Sequence, residues 1–218
     1  MFRYLTSAAL LFVLGCPIAR AQQAQPYVYR GGGCTGRDRM APFATMLGRA
    51  PVGVVDFAEN SDWVSMRNSI GWGMWCWSST PYRLTQSVPM LMSTGTLADG
   101  AKGAFDKEFV LLGKQMVAAG YGDSYLRIGW EMNGSWNRWF AGQDPVSFRA
   151  YFRRIVHAFR SVPGQHFKII WNPGMGVLNF APDQAYPGNG YVDVIGLTST
   201  TRPGHPMARM PPHAGATS

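Results

Sequence analysis

Short runs of apolar and β-branched residues alternate with helical patterns along this chain, and this alternation constrains the fold most. Several runs are nearly continuous in apolar residues, as in parallel strands that are covered on both faces. Repeating units of about 30 to 40 residues, each a strand followed by a helix, predict right-handed crossovers and a parallel sheet. The predicted strands span residues 27–30, 52–57, 87–92, 125–130, 167–171 and 191–197.

Two of the intervening segments have clear helical periodicity. Phe105, Phe109, Leu112 and Met116 recur at spacings of four, three and four residues, which predicts one apolar stripe. A second helix is predicted from Asp144, which suits an N-cap, and Pro145, which suits the first turn. Its apolar face would be formed by Phe148, Phe152, Ile155, Val156 and Phe159. We interpret both stripes as core.

A doubly wound sheet and a (β/α)8 barrel both fit this pattern. We prefer the barrel because Asp56, Glu131 and Asn172 lie at the carboxyl ends of three different strands, where barrel proteins carry their functional residues. Only six strands are found. The predicted architecture is therefore an α/β fold of the TIM-barrel type, incomplete with about six of eight βα units, over residues 22–197.

The amino-terminal segment has the pattern of a secretory signal peptide over residues 1–21. Arg3 is followed by the apolar run 8–14 and then by Ala19-Arg20-Ala21, a small-x-small cleavage site. We therefore expect a secreted or periplasmic protein. Acylation at Cys16, which would make a lipoprotein, is the less favoured alternative because Leu14 directly before Gly15 is a poor match. No other apolar stretch approaches the ~20 residues that span a bilayer.

The last segment, residues 198–218, differs from the rest of the chain. It contains no acidic or aromatic residue, four prolines and neither the period of a strand nor that of a helix. This composition predicts a disordered tail. Because the strand–helix pattern stops short of eight units, we hypothesise a truncated or frame-slipped reading of a longer gene.

Cys34 and Cys76 remain after the signal peptide and would be a pair in an oxidising compartment. A disulfide is the preferred interpretation, and two buried free thiols are the alternative.

Other classes of protein are disfavoured. The formal net charge is +8, but no cluster of Lys and Arg exceeds the pair Arg153-Arg154, so nucleic acid is not an expected partner. His157, His166, His205 and His213 have no metal-ligand spacing. The glycines of 31–36 formally match a dinucleotide fingerprint, but the strand before them is too short. We expect a monomer without metal or cofactor.

The segment 125–136 carries the chemistry. It predicts a strand whose end delivers Glu131 among tryptophans and amides. Trp130, Trp136 and Trp139 can desolvate the carboxyl and favour its protonated form, as a general acid requires. Indole faces also suit the C–H surfaces of pyranose rings. The alternative for Glu131 is an ion pair with Arg127 or Arg138.

The segment Glu131-Met132-Asn133-Gly134-Ser135-Trp136 resembles the Glu-Met-Asn-Gly-x-Trp signature of glycoside hydrolase family 26, the β-mannanase family. Trp171-Asn172-Pro173 and Tyr186-Pro187-Gly188 support the likeness, which spans residues 34–197. The resemblance implies that Glu131 is the acid/base catalyst and that Asn133 and Trp136 line the substrate cleft. It also implies a retaining mechanism with β-1,4-mannan as the default substrate.

Further candidates for substrate binding are Trp130, Trp171, Asn172 and Asp56. Trp130 stands where the family commonly has His, and Trp171 and Asn172 lie together at the end of a predicted strand. For Asp56 the alternative is a structural hydrogen bond in a loop.

The chain departs from the family pattern after its sixth predicted strand. Gly196-Leu197 is followed by Thr198 and Thr200 where the family has Asp and Tyr, and no acidic residue follows Asp193 to act as nucleophile. We therefore predict a glycosidase-like protein with little or no turnover. The alternatives are a non-catalytic carbohydrate-binding protein and a chain that does not fold because its barrel is unclosed.

Overall fold

A computed structural model describes the backbone of residues 27–29 and, in full, residues 32–175 and 179–198. The predicted signal peptide, Cys16, His205, His213 and all of the predicted tail except Thr198 lie outside these ranges.

The described strands form one parallel sheet whose spatial order is their order along the chain. With right-handed crossovers, this order puts every connecting helix on the same face of the sheet, as in a (β/α) barrel. A doubly wound sheet instead reverses its strand order at a switch point, so that alternative is excluded. The strands are β1 (Tyr27–Tyr29), β2 (Gly53–Phe57), β3 (Arg83–Val88), β4 (Tyr125–Ile128), β5 (Lys168–Trp171) and β6 (Val194–Ile195).

Both predicted helices are confirmed. Asp144 accepts a 2.9 Å hydrogen bond from the Ser147 N–H and caps the second of them, and all five predicted apolar residues of that helix are buried. The stripe of the other helix is buried at Phe109, Leu112 and Met116. The described helices are α1 (Gly33–Asp38), α2 (Met40–Leu47), α3 (Trp63–Trp77), α4 (Leu97–Ala101), α5 (Asp106–Ala118) and α6 (Pro145–Arg160), with 3-10 turns at Pro182–Ala185 and Asn189–Tyr191.

The third predicted strand was wrong in position. Strand β3 begins four residues earlier, at Arg83, and the run Met90-Leu91-Met92 is a buried segment that follows it. Hydropathy misplaced this strand because its own middle is polar: Gln86 is buried, and its side-chain amide donates to the Ser87 carbonyl.

Alternation along the strands gives the sheet two distinct faces. Asp56, Gln86, Leu126 and Ile169 are register partners on the face that packs on the helices, because Asp56 is hydrogen-bonded to Trp77 of α3. The residue after each of these points to the opposite face, which is the inner face of a barrel-type sheet. In barrel folds the functional residues lie at the carboxyl end of this inner face.

Candidate active site

The backbone turns sharply where β4 ends. Gly129 has φ 52° and donates its N–H to the Val88 carbonyl at 3.0 Å. A Cβ at Gly129 would lie 2.4 Å from the Met90 sulfur, so the turn requires glycine. Glu131 has φ 51° and is the one non-glycine residue with positive φ in the described part of the chain. Backbone strain of this kind concentrates at functional sites.

Hydrogen bonds hold the main chain of Glu131, while its carboxylate has no ion-pair partner among the described residues. The Glu131 N–H donates to the Asn172 carbonyl at 2.7 Å, and the Glu131 carbonyl accepts from Gly134 N–H and from the Asn137 amide, each at 3.0 Å. None of the salt bridges among the described residues involves Glu131. The structure therefore does not support the alternative in which Glu131 is an ion-pair partner.

Arg127 has other partners. Its Nε donates to Ser87 Oγ at 3.0 Å and its Nη1 donates to Asn172 Oδ1 at 3.3 Å. The guanidinium also lies 4.6 Å from the centroid of the Phe57 ring. Arg127 thus joins the ends of β2, β3, β4 and β5 on the inner face. The sequence singles out Arg127 only as a possible ion-pair partner of Glu131, although its position on the inner face follows from strand alternation.

The tryptophans around Glu131 divide into two groups. Trp130 is half-buried, and its ring centroid lies 5.1 Å from that of Phe57 and 4.6 Å from that of Trp139. Trp139 is buried and donates its Nε1–H to the Trp130 carbonyl at 2.8 Å. Trp136 is separate and 63% exposed. Only Trp130 and Trp136 therefore present ring surface on which a sugar could lie.

An open cavity of about 450 Å³ adjoins Trp136. It lies between the loop after β3, at residues 95–98, and the loop after β4, at residues 135–138, and Gln143 and Asp144 close it on the side of α6. Glu131 does not line this cavity. The structure thus brings Trp136 to a concave surface, with the candidate acid in the same loop but outside the cavity.

Asn133 and Asn172 are buried, and their polar atoms bond within the protein. Asn133 Oδ1 accepts from the Gly174 N–H at 2.8 Å and its Nδ2 donates to the Gly174 carbonyl at 3.0 Å. Asn172 Oδ1 accepts from Arg127 and from the Thr198 hydroxyl. Neither side chain is exposed in the structure, so a substrate could contact them only if these bonds were broken.

Asp56 and Trp171 lie on the helix-facing side of the sheet. Asp56 is 5% exposed and accepts hydrogen bonds from Trp77, Gly33 and Phe57. Trp171 is buried with its ring centroid 5.2 Å from that of Tyr186. Both were predicted as ligand-binding residues because they end strands. Strand position does not by itself tell which face a side chain takes, and here both point away from the inner face.

Cys34 and Cys76 are joined by a disulfide that ties α1 to α3, with Cα atoms 4.8 Å apart. Within residues 32–175 and 179–198, no group of three or more His, Cys, Asp or Glu side chains could hold a metal ion.

The described part of the chain is thus a parallel α/β sheet of barrel order, with Glu131 in a strand-end loop that also carries the exposed indole of Trp136. The sequence model of glycosyl hydrolase family 26 matches residues 125–208, a range that begins with β4 and includes Glu131. The chain therefore resembles the glycosidases of this family, as its Glu131 segment predicted. No curated protein sequence matches the chain.

Two solved structures are similar to this one. GH26A from Muricauda sp. MAR_2010_75 matches with a TM-score of 0.57 and 12% sequence identity, over 79% of this chain and 66% of that one. At this identity the match shows the fold alone, and the chain spans just under two thirds of that protein. The carboxyl transferase domain of Rhizobium etli pyruvate carboxylase matches with a TM-score of 0.46 and 14% identity, over 79% of this chain and 26% of that one.

Proposed function

We propose that this protein is an exported, glycosidase-like protein that recognises β-1,4-mannan or a related β-linked polysaccharide, with Glu131 as its proton donor. The observation that carries the proposal is the carboxylate of Glu131, which follows Trp130 in the sequence, is in none of the ion pairs among the described residues and lies in the segment that matches the family model. Trp130 and Trp136 supply ring faces for pyranose units. Glu131 would protonate the glycosidic oxygen as the leaving group departs.

A retaining mechanism also needs a second carboxylate as nucleophile, about 5 Å from the first. The chain has 12 acidic residues, and all of them are described. Nine besides Glu131 have side chains bonded elsewhere as helix caps, ion pairs or backbone acceptors: Asp38, Asp56, Asp62, Asp99, Asp106, Glu108, Asp123, Asp144 and Asp193.

We propose that neither of the two other carboxylates supplies the nucleophile. Glu59 follows β2, and its Oε2 accepts a hydrogen bond from Ser61 Oγ at 3.1 Å. Asp183 lies in an exposed 3-10 turn after β5. We therefore propose that this chain provides the acid half of the catalytic pair and has little or no turnover by itself.

The same observation favours a second candidate, a non-catalytic carbohydrate-binding protein. Binding requires the indole rings and the concave surface beside Trp136, but it does not require a second carboxylate. The two candidates share a ligand and differ in what Glu131 does.

We also propose how the chain is organised and where the protein is located. We propose that residues 22–197 form a barrel-type domain with six of eight βα units, preceded by a signal peptide and followed by a tail, and that the domain is monomeric. The disulfide between Cys34 and Cys76 supports export, because such bonds persist in oxidising compartments. Across the described residues, every helix is too short or too polar to cross a bilayer.

Two measurements on the purified chain test the proposal. Calorimetry with manno-oligosaccharide should show binding that weakens when Trp136 is replaced by Ala. Release of reducing sugar from β-mannan should be absent or very slow, and Glu131→Gln should abolish any that occurs. Glu59→Gln, the same change at another partly exposed glutamate, is the matched control and should behave as the wild type.

Either of two results would contradict the proposal. Absence of any saccharide binding would remove its basis. Robust hydrolysis that Glu131→Gln abolishes would show that a nucleophile is present after all. Slow release of reducing sugar that Glu131→Gln abolishes would select the catalytic candidate, and saccharide binding without any release would select the non-catalytic one.

A further inference from the structure

We propose that Asn133 is a positioning residue for Glu131, whose side chain clasps the loop after β4 onto the loop after β5. This inference rests on the proposed role of Glu131 as the reacting group. It replaces the contact between Asn133 and sugar that the sequence predicts.

The clasp is a pair of hydrogen bonds to one residue. Asn133 Oδ1 accepts from the Gly174 N–H at 2.8 Å, and Asn133 Nδ2 donates to the Gly174 carbonyl at 3.0 Å. The asparagine amide therefore takes the place of a backbone peptide group in a strand pair. Asn133 as a whole is only 1% exposed, so these bonds are shielded from competing water.

A second tie lies two residues away on both loops. The Glu131 N–H donates to the Asn172 carbonyl at 2.7 Å, so residues 131 and 133 are bonded to residues 172 and 174. Without the Asn133 bonds, the ties that remain between the described parts of the two loops are the Glu131 bond and, further along, the bonds from Ser135 to Asn179 Oδ1. Each tie makes the other easier to form, because it removes the freedom that closing the loop would otherwise cost.

The loop after β5 is itself held in place by the end of β6. The Thr198 N–H donates to the Pro173 carbonyl at 3.1 Å, and the Met175 N–H donates to the Thr198 carbonyl at 2.7 Å. The Thr198 hydroxyl also donates to Asn172 Oδ1 at 2.9 Å. The clasp therefore fastens the Glu131 loop to a supported part of the sheet rather than to a free loop.

The clasp explains how Glu131 keeps an unfavourable backbone conformation. A glutamate at φ 51° is in the left-handed region, which is unfavourable for a residue with a Cβ and persists only where surrounding bonds impose it. The carboxylate has no side-chain bond of its own among the described residues that would hold it. Its direction is therefore set by the main chain. The two ties hold that main chain together with the bonds that the Glu131 carbonyl accepts from Gly134 and Asn137.

Hydrogen exchange of the Glu131 amide tests the clasp without any need for turnover. The chain contains three glutamates, Glu59, Glu108 and Glu131, so ¹⁵N-glutamate labelling gives three amide signals, two of which serve as internal references. In Asn133→Ala, the Glu131 amide should exchange about tenfold faster, and the other two should stay within about twofold of wild type. Asn189→Ala, which changes an exposed asparagine that accepts from Tyr186, is the matched control and should change none of the three.

A second variant covers the case in which Asn133→Ala does not fold. Asn133→Ser is uncharged and keeps a hydroxyl that can bond one of the two Gly174 groups but not both, so the Glu131 amide should show an intermediate acceleration. Unchanged Glu131 exchange in the folded variants would overturn the proposal, and so would equal acceleration of all three amides, which indicates a general loss of stability.

Calorimetry with manno-oligosaccharide separates this proposal from the function on which it rests. If Asn133 contacts sugar, Asn133→Ala should weaken binding while Glu131 exchange stays at the wild-type rate, and the positioning role is then wrong. If the wild type binds no saccharide, the proposed function fails, yet the exchange measurement still reports on the clasp.

Discussion

Trp77 donates its Nε1–H to Asp56 Oδ2 at 2.9 Å, which places a buried carboxylate between β2 and α3. The same oxygen accepts from the Gly33 N–H at 3.2 Å, and Oδ1 accepts from the Phe57 N–H at 2.8 Å. The carboxylate therefore joins a strand and two helices. Its bonds are those of a structural residue, and they leave no oxygen directed to the inner face of the sheet.

We predict that Asp56→Ala destabilises the fold by about 3 kcal/mol, because it leaves three buried donors without their acceptor. Urea unfolding measures the change. Asp38→Ala is the control, since the Asp38 side chain is 68% exposed and its one ion pair among the described residues is with Arg37. That change should cost less than about 0.5 kcal/mol. Similar losses for the two variants would show that the Asp56 network adds little.

The contrast between Glu131 and Asp56 shows what the sequence could reveal about the site. Each lies at the end of an apolar strand, and each is predicted from the sequence to reach a ligand. Glu131 is preceded by Gly129, whose turn carries the chain out of the sheet, so its side chain is freed from strand alternation. Asp56 is still within β2, where alternation directs it to the helices. The motif is enough to single out Glu131, whereas the role of Asp56 depends on which face of β2 its side chain takes.

The fold was easier to predict than the contacts within it. The parallel sheet and the helices α5 and α6 follow from local periodicity, which the residues of each segment carry by themselves. The bonds of Asn133 to Gly174 join positions 41 residues apart, and nothing in either segment signals the partner. Helix α1 was missed for a related reason: the glycines of 31–36 give it no helical pattern, whereas its disulfide to α3, which is distant in sequence, holds it in place.

Breaking the disulfide should lower the stability of the protein substantially. Cys34 and Cys76 are 42 positions apart, and opening a loop of this size costs about 4 kcal/mol in the chain-entropy model. Urea unfolding with and without a reductant should show the loss in the wild type. A variant with both cysteines replaced by Ser should match the reduced wild type and ignore the reductant. A reductant effect in that variant would mean that reduction acts elsewhere.

Gly134→Ala should weaken saccharide binding with little effect on stability. A Cβ at Gly134 would lie 2.3 Å from the outer ring of Trp136, so the indole must swing away. Trp136 is largely exposed, and its movement therefore costs little packing. We expect about a tenfold loss of affinity for manno-oligosaccharide by calorimetry, and a stability change within about 0.5 kcal/mol. Gly190→Ala, where no atom lies within 4 Å of the new Cβ, should change neither; unaltered affinity in Gly134→Ala would exclude Trp136 as a platform.

Tyr151 should make the protein less stable at alkaline pH. Burial raises the pKa of the Tyr151 hydroxyl well above its ordinary value of 10.0, and the negative charge of Asp106 raises it further. Above pH 10 the unfolded chain therefore releases this proton while the folded chain retains it, so stability is lost as pH rises, by up to about 1.4 kcal/mol per pH unit.

Tyr151→Phe removes this contribution and also the hydrogen bond to the Met90 carbonyl, at a cost of about 1 kcal/mol at pH 8. Urea unfolding at pH 8 and pH 11 should show a smaller loss between the two pH values in Tyr151→Phe than in the wild type, by about 1.4 kcal/mol. Parallel losses in the two proteins would show that Tyr151 ionises alike in both states.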